Sequence, residues 1–278
     1  MNNNGGPRFN YHAHAFALQG EITQPFQEKL EPQAPSAVSP FGGFGTARAD
    51  PFNLKEVVSH KGARSRTEAG YNPTTEKHYA LANVVLEGLN LSDVITVESI
   101  VGRLTAVHST AQEEPEISPA GSTIQGLRIH GHLVELIPLV STYHTHSTMQ
   151  GLRDHYKNDP QYQSDFHTDA YIGQQSAVPP KKQKFFPWLN HKLNGALPEF
   201  RGHTIVPLFR IKDPQLPGVE VHGNVIHIDN FGRIRLGELV ISRDERRVTM
   251  FHADLGSPQE ANLMSAVACT GTGQTDPK

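Results

Sequence analysis

Paired imidazoles are the residues best placed to do chemistry in this sequence. The pattern HxH occurs three times, as His12/His14, His130/His132 and His144/His146. Residues two apart on a strand project from one face, so each pair could offer two nitrogens to a single metal ion. The third pair stands in STYHTHSTMQGLRDHYKND, and residues 144–169 add His155, His167, Asp154, Asp159, Asp165 and Asp169. A divalent metal such as zinc, held by His144, His146, Asp165 and His167 with a water in an open position, would suit hydrolysis or elimination. Asp154 and His155 are expected about two turns along a helix opened by Ser147, roughly 10 Å from the pair. Asp165 and His167, on the returning loop, are therefore the better partners. The stretch carries no closed motif such as HExxH, and the plainer reading is a solvated polar insertion without metal.

The other two pairs read as structural. In TIQGLRIHGHLVELI, His130-Gly131 takes the central positions of a two-residue hairpin turn, where positive φ favours glycine. That removes His130 and His132 from a common face. His12 and His14 alternate with alanines in YHAHAFAL, whose Tyr11, Ala13, Ala15 and Ala17 share the opposite face. This pattern predicts a half-buried edge or interface strand, and it names no further metal ligand. His222 and His227 flank Gly223-Asn224, a second candidate turn.

Aromatic residues suggest a different chemistry. KKQKFF at 181–186, with Trp188 close by, interleaves lysines with aromatics as single-stranded nucleic acid or an anionic surface would require. A loop whose aromatics pin it to the sheet is the plainer reading. A separate carbohydrate-binding reading would use exposed Tyr171, Phe185 and Trp188. Nucleic acid is not expected. Three lysines supply little counterion release, and the chain carries a net charge of -3 with a pI of about 6.6. There is no GxSxG elbow, and Cys269, the one cysteine, has no local activating group. GGFGTAR lacks the Lys-Ser/Thr ending of a phosphate loop, and Glu113-Glu114 sit in a proline-flanked loop.

Period-two texture dominates the elements that must position these residues. Of the 278 residues 37% are hydrophobic and 19% charged, with Gly 24 and Pro 20, which suits a globular chain rich in turns. Strands are predicted near 11–18, 46–52, 55–68 and 78–89, with Gln19-Gly20 as a turn and EPQAPSAVSPFGGFG as loop. VITVESIVGRLTAVH is a β-branched strand whose alternation shifts around Ser99, the mark of a bulge. Ser147 with Gln150 forms a capping box for a short helix bearing Met149, Leu152 and Tyr156 on its apolar side. Strand character returns in HTIVPLFRIKD, VEVHGNVIHID, GRIRLGELVIS and RRVTMFHADL. The expected architecture is all-β: a mostly antiparallel β-sandwich or jelly-roll-like domain over 11–263, with a loop-rich insertion at 141–201 that carries a short helix. Segments 1–10 and 264–278 are expected to be flexible ends.

AHAFALQGEI, EGLNLSDVITVESIVGRL, ISPAGSTIQGLRIHGHLVEL and GNVIHIDNFGRIRLGEL occur in an order that resembles the choice-of-anchor P β-domains. The resemblance covers roughly residues 13–140 and 205–242. It implies a bacterial surface module with no catalytic residues to carry over. This chain departs from the pattern by its 141–201 insertion, by added strand after Arg243, and by showing no signal or anchor.

The expectation from all of this is a noncatalytic module that acts by presenting a surface to protein or carbohydrate, without a cofactor. The alternatives are a metal-dependent hydrolase or lyase at 144–169 and a carbohydrate-binding module. MNNNGGPRFN is no secretory signal, no window reaches a membrane span, and a single cysteine favours a reducing compartment. These point to the cytoplasm, or to the cell surface if a leader precedes the sequence.

Overall fold

The computed structural model of the chain describes residues 8–160, 204–212, 214–241, 245–256 and 259–275. Among the described residues two large antiparallel sheets pack face to face, with a separate two-stranded sheet formed by 136–138 and 209–211. The chain visits the large sheets in order. It opens in the first sheet with β1 (Arg8–Gln24), β2 (Glu28–Gln33) and β3 (Ser36–Ala37). It then builds the second from β4 (Gly43–Ala49), β5 (Phe52–Leu54), β6 (Val58–His60), β7 (Gly62–Asn72), β8 (Lys77–Leu91) and β9 (Ile95–Ser109). Short strands β10 (Glu116–Ser118), β11 (Thr123–Gln125), β12 (Arg128–Ile129) and β13 (His132–Leu133) complete that sheet. After β14 (Leu136–Pro138) come α1 (Val140–Thr145) and α2 (Met149–Asn158). The return leg holds β15 (Thr204–Pro207), β16 (Phe209–Ile211), β17 (Val219–His222), β18 (Val225–Ile228), β19 (Gly232–Ile241), β20 (Glu245–Leu255) and β21 (Glu260–Thr275).

The first sheet runs β17-β18-β19-β20-β21-β1-β2, so the first long strand of the chain lies beside the last. The expected mobile tail, 264–278, is therefore mostly an interior strand, and β1 begins at Arg8 within the segment expected to be flexible. Gln19-Gly20 is not a turn either. β1 continues through it, and glycine is needed because a Cβ at Gly20 would meet the Asn262 carbonyl oxygen at 2.2 Å. The predicted loop at 31–45 likewise contains the end of β2, β3 and the start of β4.

One buried cluster draws on both legs of the chain, from Ala13 and Ala80 to Leu239 and Ala268. Small side chains set its depth. Ala13, Ala15 and Ala17 share this core with Ala80, Ala82 and Ala106, small side chains that let the sheets approach closely. Gly102 marks the tightest place, where an added Cβ would lie 2.5 Å from the Ala266 carbonyl oxygen and 3.1 Å from Met250 Cγ.

Alternation switches sides within the long strands. In β9, Val97 and Ile100 are both buried with Glu98 and Ser99 between them, which is the shift expected at Ser99. It is not a one-strand bulge. The partner switches too, at Gly88 (φ 63), so the β8–β9 register is unbroken from Glu87↔Ser99 to Leu89↔Val97. The first sheet has a matching row. Ala17 and Leu18 are both buried, and opposite them Ala266 (φ 48) and Ser265 are too, while Gly237 (φ 60) does the same in β19.

Arg246 ties the helical segment to this core. It points inward from β20, fully buried, and its guanidinium donates to the Ile117 carbonyl of β10 and to the Ser147 carbonyl between the helices. Charge-assisted bonds of this kind are among the stronger ones a carbonyl can accept.

His130 (φ 49) and Gly131 (φ 79) join β12 to β13 as the two-residue turn expected from HGH. The two glycines provide a test of what limits this fold. Gly131→Val meets no atom within 4 Å and should cost about 1 kcal/mol from backbone strain alone. Gly102→Val must part the sheets and should cost about 3 kcal/mol. Urea denaturation of both variants measures this, and equal losses would contradict the close-packed interface.

Candidate functional site

His144 and His146 do not share the strand face expected of them. His144 lies in helix α1 and His146 at its C-terminal cap, not on a strand, so residues two apart diverge around the helix instead of sharing a face. His144 is exposed, with Nδ1 2.8 Å from Ser118 Oγ. His146 stacks on His155 with ring centroids 4.0 Å apart, so His155 is near where a two-turn separation was expected. The chain doubles back between the helices, bringing α2 against the end of α1. The cap of α2 is Thr148, whose hydroxyl accepts from the Gly151 amide at 2.9 Å, one residue after the predicted Ser147. Glu114 adds a second cap, accepting from the Met149 amide at 2.8 Å. Asp165, His167, Tyr171, Phe185 and Trp188, and the KKQKFF stretch, lie outside the described residues.

The pair that converges on further ligands is His12/His14. β1 is an interior strand, and its alanines face the core while both histidines face outward. Opposite them on β21 stand Gly271 and Cys269, and on β20 stand Glu245 and Arg247. Gly271 has no side chain, so His12 and Glu245 meet across it, with Nδ1 3.0 Å from Oε2. Cys269 donates its thiol proton to the other carboxylate oxygen of Glu245 at 3.1 Å, and His12 Nε2 lies 3.0 Å from His14 Nδ1. Burial and the neighbouring His12 push the His14 imidazole below its ordinary pKa. Burial and Glu245 push the Cys269 thiol up, so it is no ready nucleophile. Glu245 is raised by burial, but the Cys269 hydrogen bond and His12 outweigh this and hold it low.

A second polar cluster on the same outer face spans the Gly237–Ala266 row. Arg235 bridges Asp254 at 3.1 Å and Glu238 at 3.6 Å, and Arg233 reaches Asp254 at 3.0 Å. His252 sits between, 3.6 Å from Glu238 and 3.5 Å from Asp254, and Asn262 donates to Asp254 at 2.5 Å. Burial and the Arg235 guanidinium, 2.8 Å from His252 Nδ1, oppose the charged form of His252, yet its hydrogen bonds to Asp254 and Glu238 prevail and raise it. Burial also pushes Asp254 and Glu238 up, but His252 and Arg235 reverse the sign and depress both. Every charged member has an opposite charge in reach, so this is a structural ion network.

A third feature is apolar. Phe41 and Phe44 are 83% and 79% exposed; Phe41 lies within the tight turn closed by the Ser39↔Gly42 bridge and Phe44 two residues after it. Phe44 is the second residue of β4, which pairs with β7 alone among the described strands. Tyr71, at the far end of β7, is half exposed.

Residues 9–242 match a family described as a domain of unknown function, DUF8256. The chain belongs to that family. No curated protein and no solved structure matches it. The match includes His12, His14, Phe41 and Phe44 and ends before β20 and β21, which carry Glu245 and Cys269. Among the described residues no helix is long and apolar enough to cross a membrane.

The ion network sets a pH dependence with a defined sign. The raised His252 contributes stability that is full below about pH 6.5 and is lost as pH rises through its folded value. The depressed carboxylates contribute stability that is present above about pH 4 and lost on further acidification. His252→Asn should therefore destabilise most near pH 5.5, with the deficit shrinking by pH 9. Urea melts of both proteins across that range check it, and a deficit that grows with pH would refute the assignment.

Proposed function

We propose that this protein is a noncatalytic β-sandwich module that engages another polypeptide through the rim formed by Phe41, Phe44 and the edge of β4. The observation that carries the reading is the exposure of those two phenylalanines beside an edge strand. Edge strands present unpaired amides and carbonyls that template pairing with a second chain, and soluble proteins ordinarily blunt them with charge or cover. Large aromatics at such an edge favour capture of an extended segment, with main-chain bonds giving affinity and the rings giving anchors. The resemblance to choice-of-anchor P domains has the same implication, a surface module without catalytic residues. The hydrolase reading at 144–169 has lost the shared face on which His144 and His146 were to bind.

The test is site-specific photocrosslinking in the native host, with a benzophenone amino acid at position 41, 44 or, as a control, 28 on exposed β2. Discrete protein adducts are expected from 41 and 44 and none from 28. Adducts from none of them, or equally from all three, would refute the rim. Phe41→Ser with Phe44→Ser should leave stability within about 0.5 kcal/mol, because neither ring is in the core.

A further inference from the structure

The cluster on the outer face of β1, β20 and β21 has no part in the peptide-binding reading. Among the described residues, His12, His14 and Cys269 form the group of potential ligands that converges, with one donor atom from each lying within 4.8 Å of the others. We propose that these three residues bind a divalent transition metal of the zinc class, through His12 Nε2, His14 Nδ1 and Cys269 Sγ, with a fourth position open to solvent.

The geometry needs only side-chain movement. Zn–N bonds of about 2.0–2.1 Å and a Zn–S bond of about 2.3 Å place tetrahedral ligand atoms roughly 3.3–3.6 Å apart. The two imidazole nitrogens, at 3.0 Å, must open by a few tenths of an ångström, and the widest gap must close by about 1 Å. Both histidines hang from one rigid strand and the cysteine from its paired neighbour, at His14↔Cys269, so the backbone already holds the ligands in register. His12 is exposed, His14 half-buried and Cys269 buried, which gives the ion a path from solvent to the thiolate.

Glu245 completes the arrangement from behind. Its contact with His12 Nδ1 leaves Nε2, the nitrogen facing His14, as the one available to a metal. A carboxylate behind a ligating imidazole fixes the tautomer and raises its basicity, as at many zinc centres. The second Glu245 oxygen accepts the proton of Cys269, the proton an ion must displace. Two nitrogens and one sulfur form a borderline-soft donor set that disfavours calcium and magnesium, which require oxygen. Arg247, beside Cys269 on β20, repels a cation, and the negative charges of the thiolate and Glu245 offset it. The bound ion would join the first strand of the chain to the last.

Cobalt(II) titrated into chelator-treated full-length protein tests this directly. One equivalent should bind with the intense visible bands of four-coordinate cobalt and a thiolate-to-cobalt charge-transfer band, and zinc should displace it. Cys269→Ser should abolish the charge-transfer band, and it and His14→Ala should each weaken binding at least about 100-fold. Glu245→Gln should weaken binding about 10-fold while keeping the band. His144→Ala with His146→Ala should bind as the unaltered protein does. Thermal melts of the metal-free variants establish folding, and zinc should raise the Tm of the unaltered protein but not of the His14 variant. Absence of the charge-transfer band, undiminished binding by the Cys269 and His14 variants, or uptake of copper alone would overturn the assignment.

Discussion

Pairing of β1 with β21 is the constraint on which the rest of the structure depends. The ladder runs from Arg8↔Thr275 to Gln24↔Glu260 and joins the first and last long strands in the interior of one sheet. β1 then carries β2 and β3 on its other edge, and its inward alanines lie against the second sheet. Remove this pairing and β2 and β3 lose their sheet, while β8 and β9 lose the strands packed over them. Contacts between the first and last strands close the longest loop the chain can form, a costly arrangement that burial of the whole interface must offset.

The same register decides what stands on the outer face. Alternation directs Ala13 and Ala15 inward and so presents His12 and His14 outward, where β21 and β20 supply Cys269 and Glu245. At the row of Ala17, Ala266, Met250 and Gly237 the alternation changes sides in all four strands together, which keeps the register the same on either side of it. Beyond that row the outward positions are Arg233, Arg235, His252 and Asp254. Two polar clusters of different chemistry thus share one sheet face, one saturated with opposite charges and the other rich in nitrogen and sulfur donors.

Local pattern made much of the fold legible. The all-β texture, the HGH turn and the switch at Ser99 are all encoded within a few residues, and each depends on local backbone geometry. The C-terminal strand was hidden because TGTGQT has the small residues of a mobile tail. Here smallness serves packing, and Gly271 leaves the space in which His12 meets Glu245. Gly20 misled for a related reason: its lack of a side chain answers to the Asn262 carbonyl across the ladder, not to a turn. The His144/His146 spacing suggested a shared face only on the assumption of a strand, and the residues form a helix instead. His14 and Cys269 stand 255 positions apart in the sequence, and no local period relates them. The spacing HxH was informative at residue 12, but its partner could be found only through the β1–β21 register.

Native-state hydrogen exchange tests the central role of that ladder most directly. Amides of Ala13–Leu18 and Leu263–Ala268 should exchange only through global unfolding, with the same opening free energy and denaturant dependence as the interior of β8 and β9. Exchange of β1 or β21 through a lower-energy opening that leaves β8 and β9 protected would contradict the account, because the second sheet would then stand without the strand that closes the first.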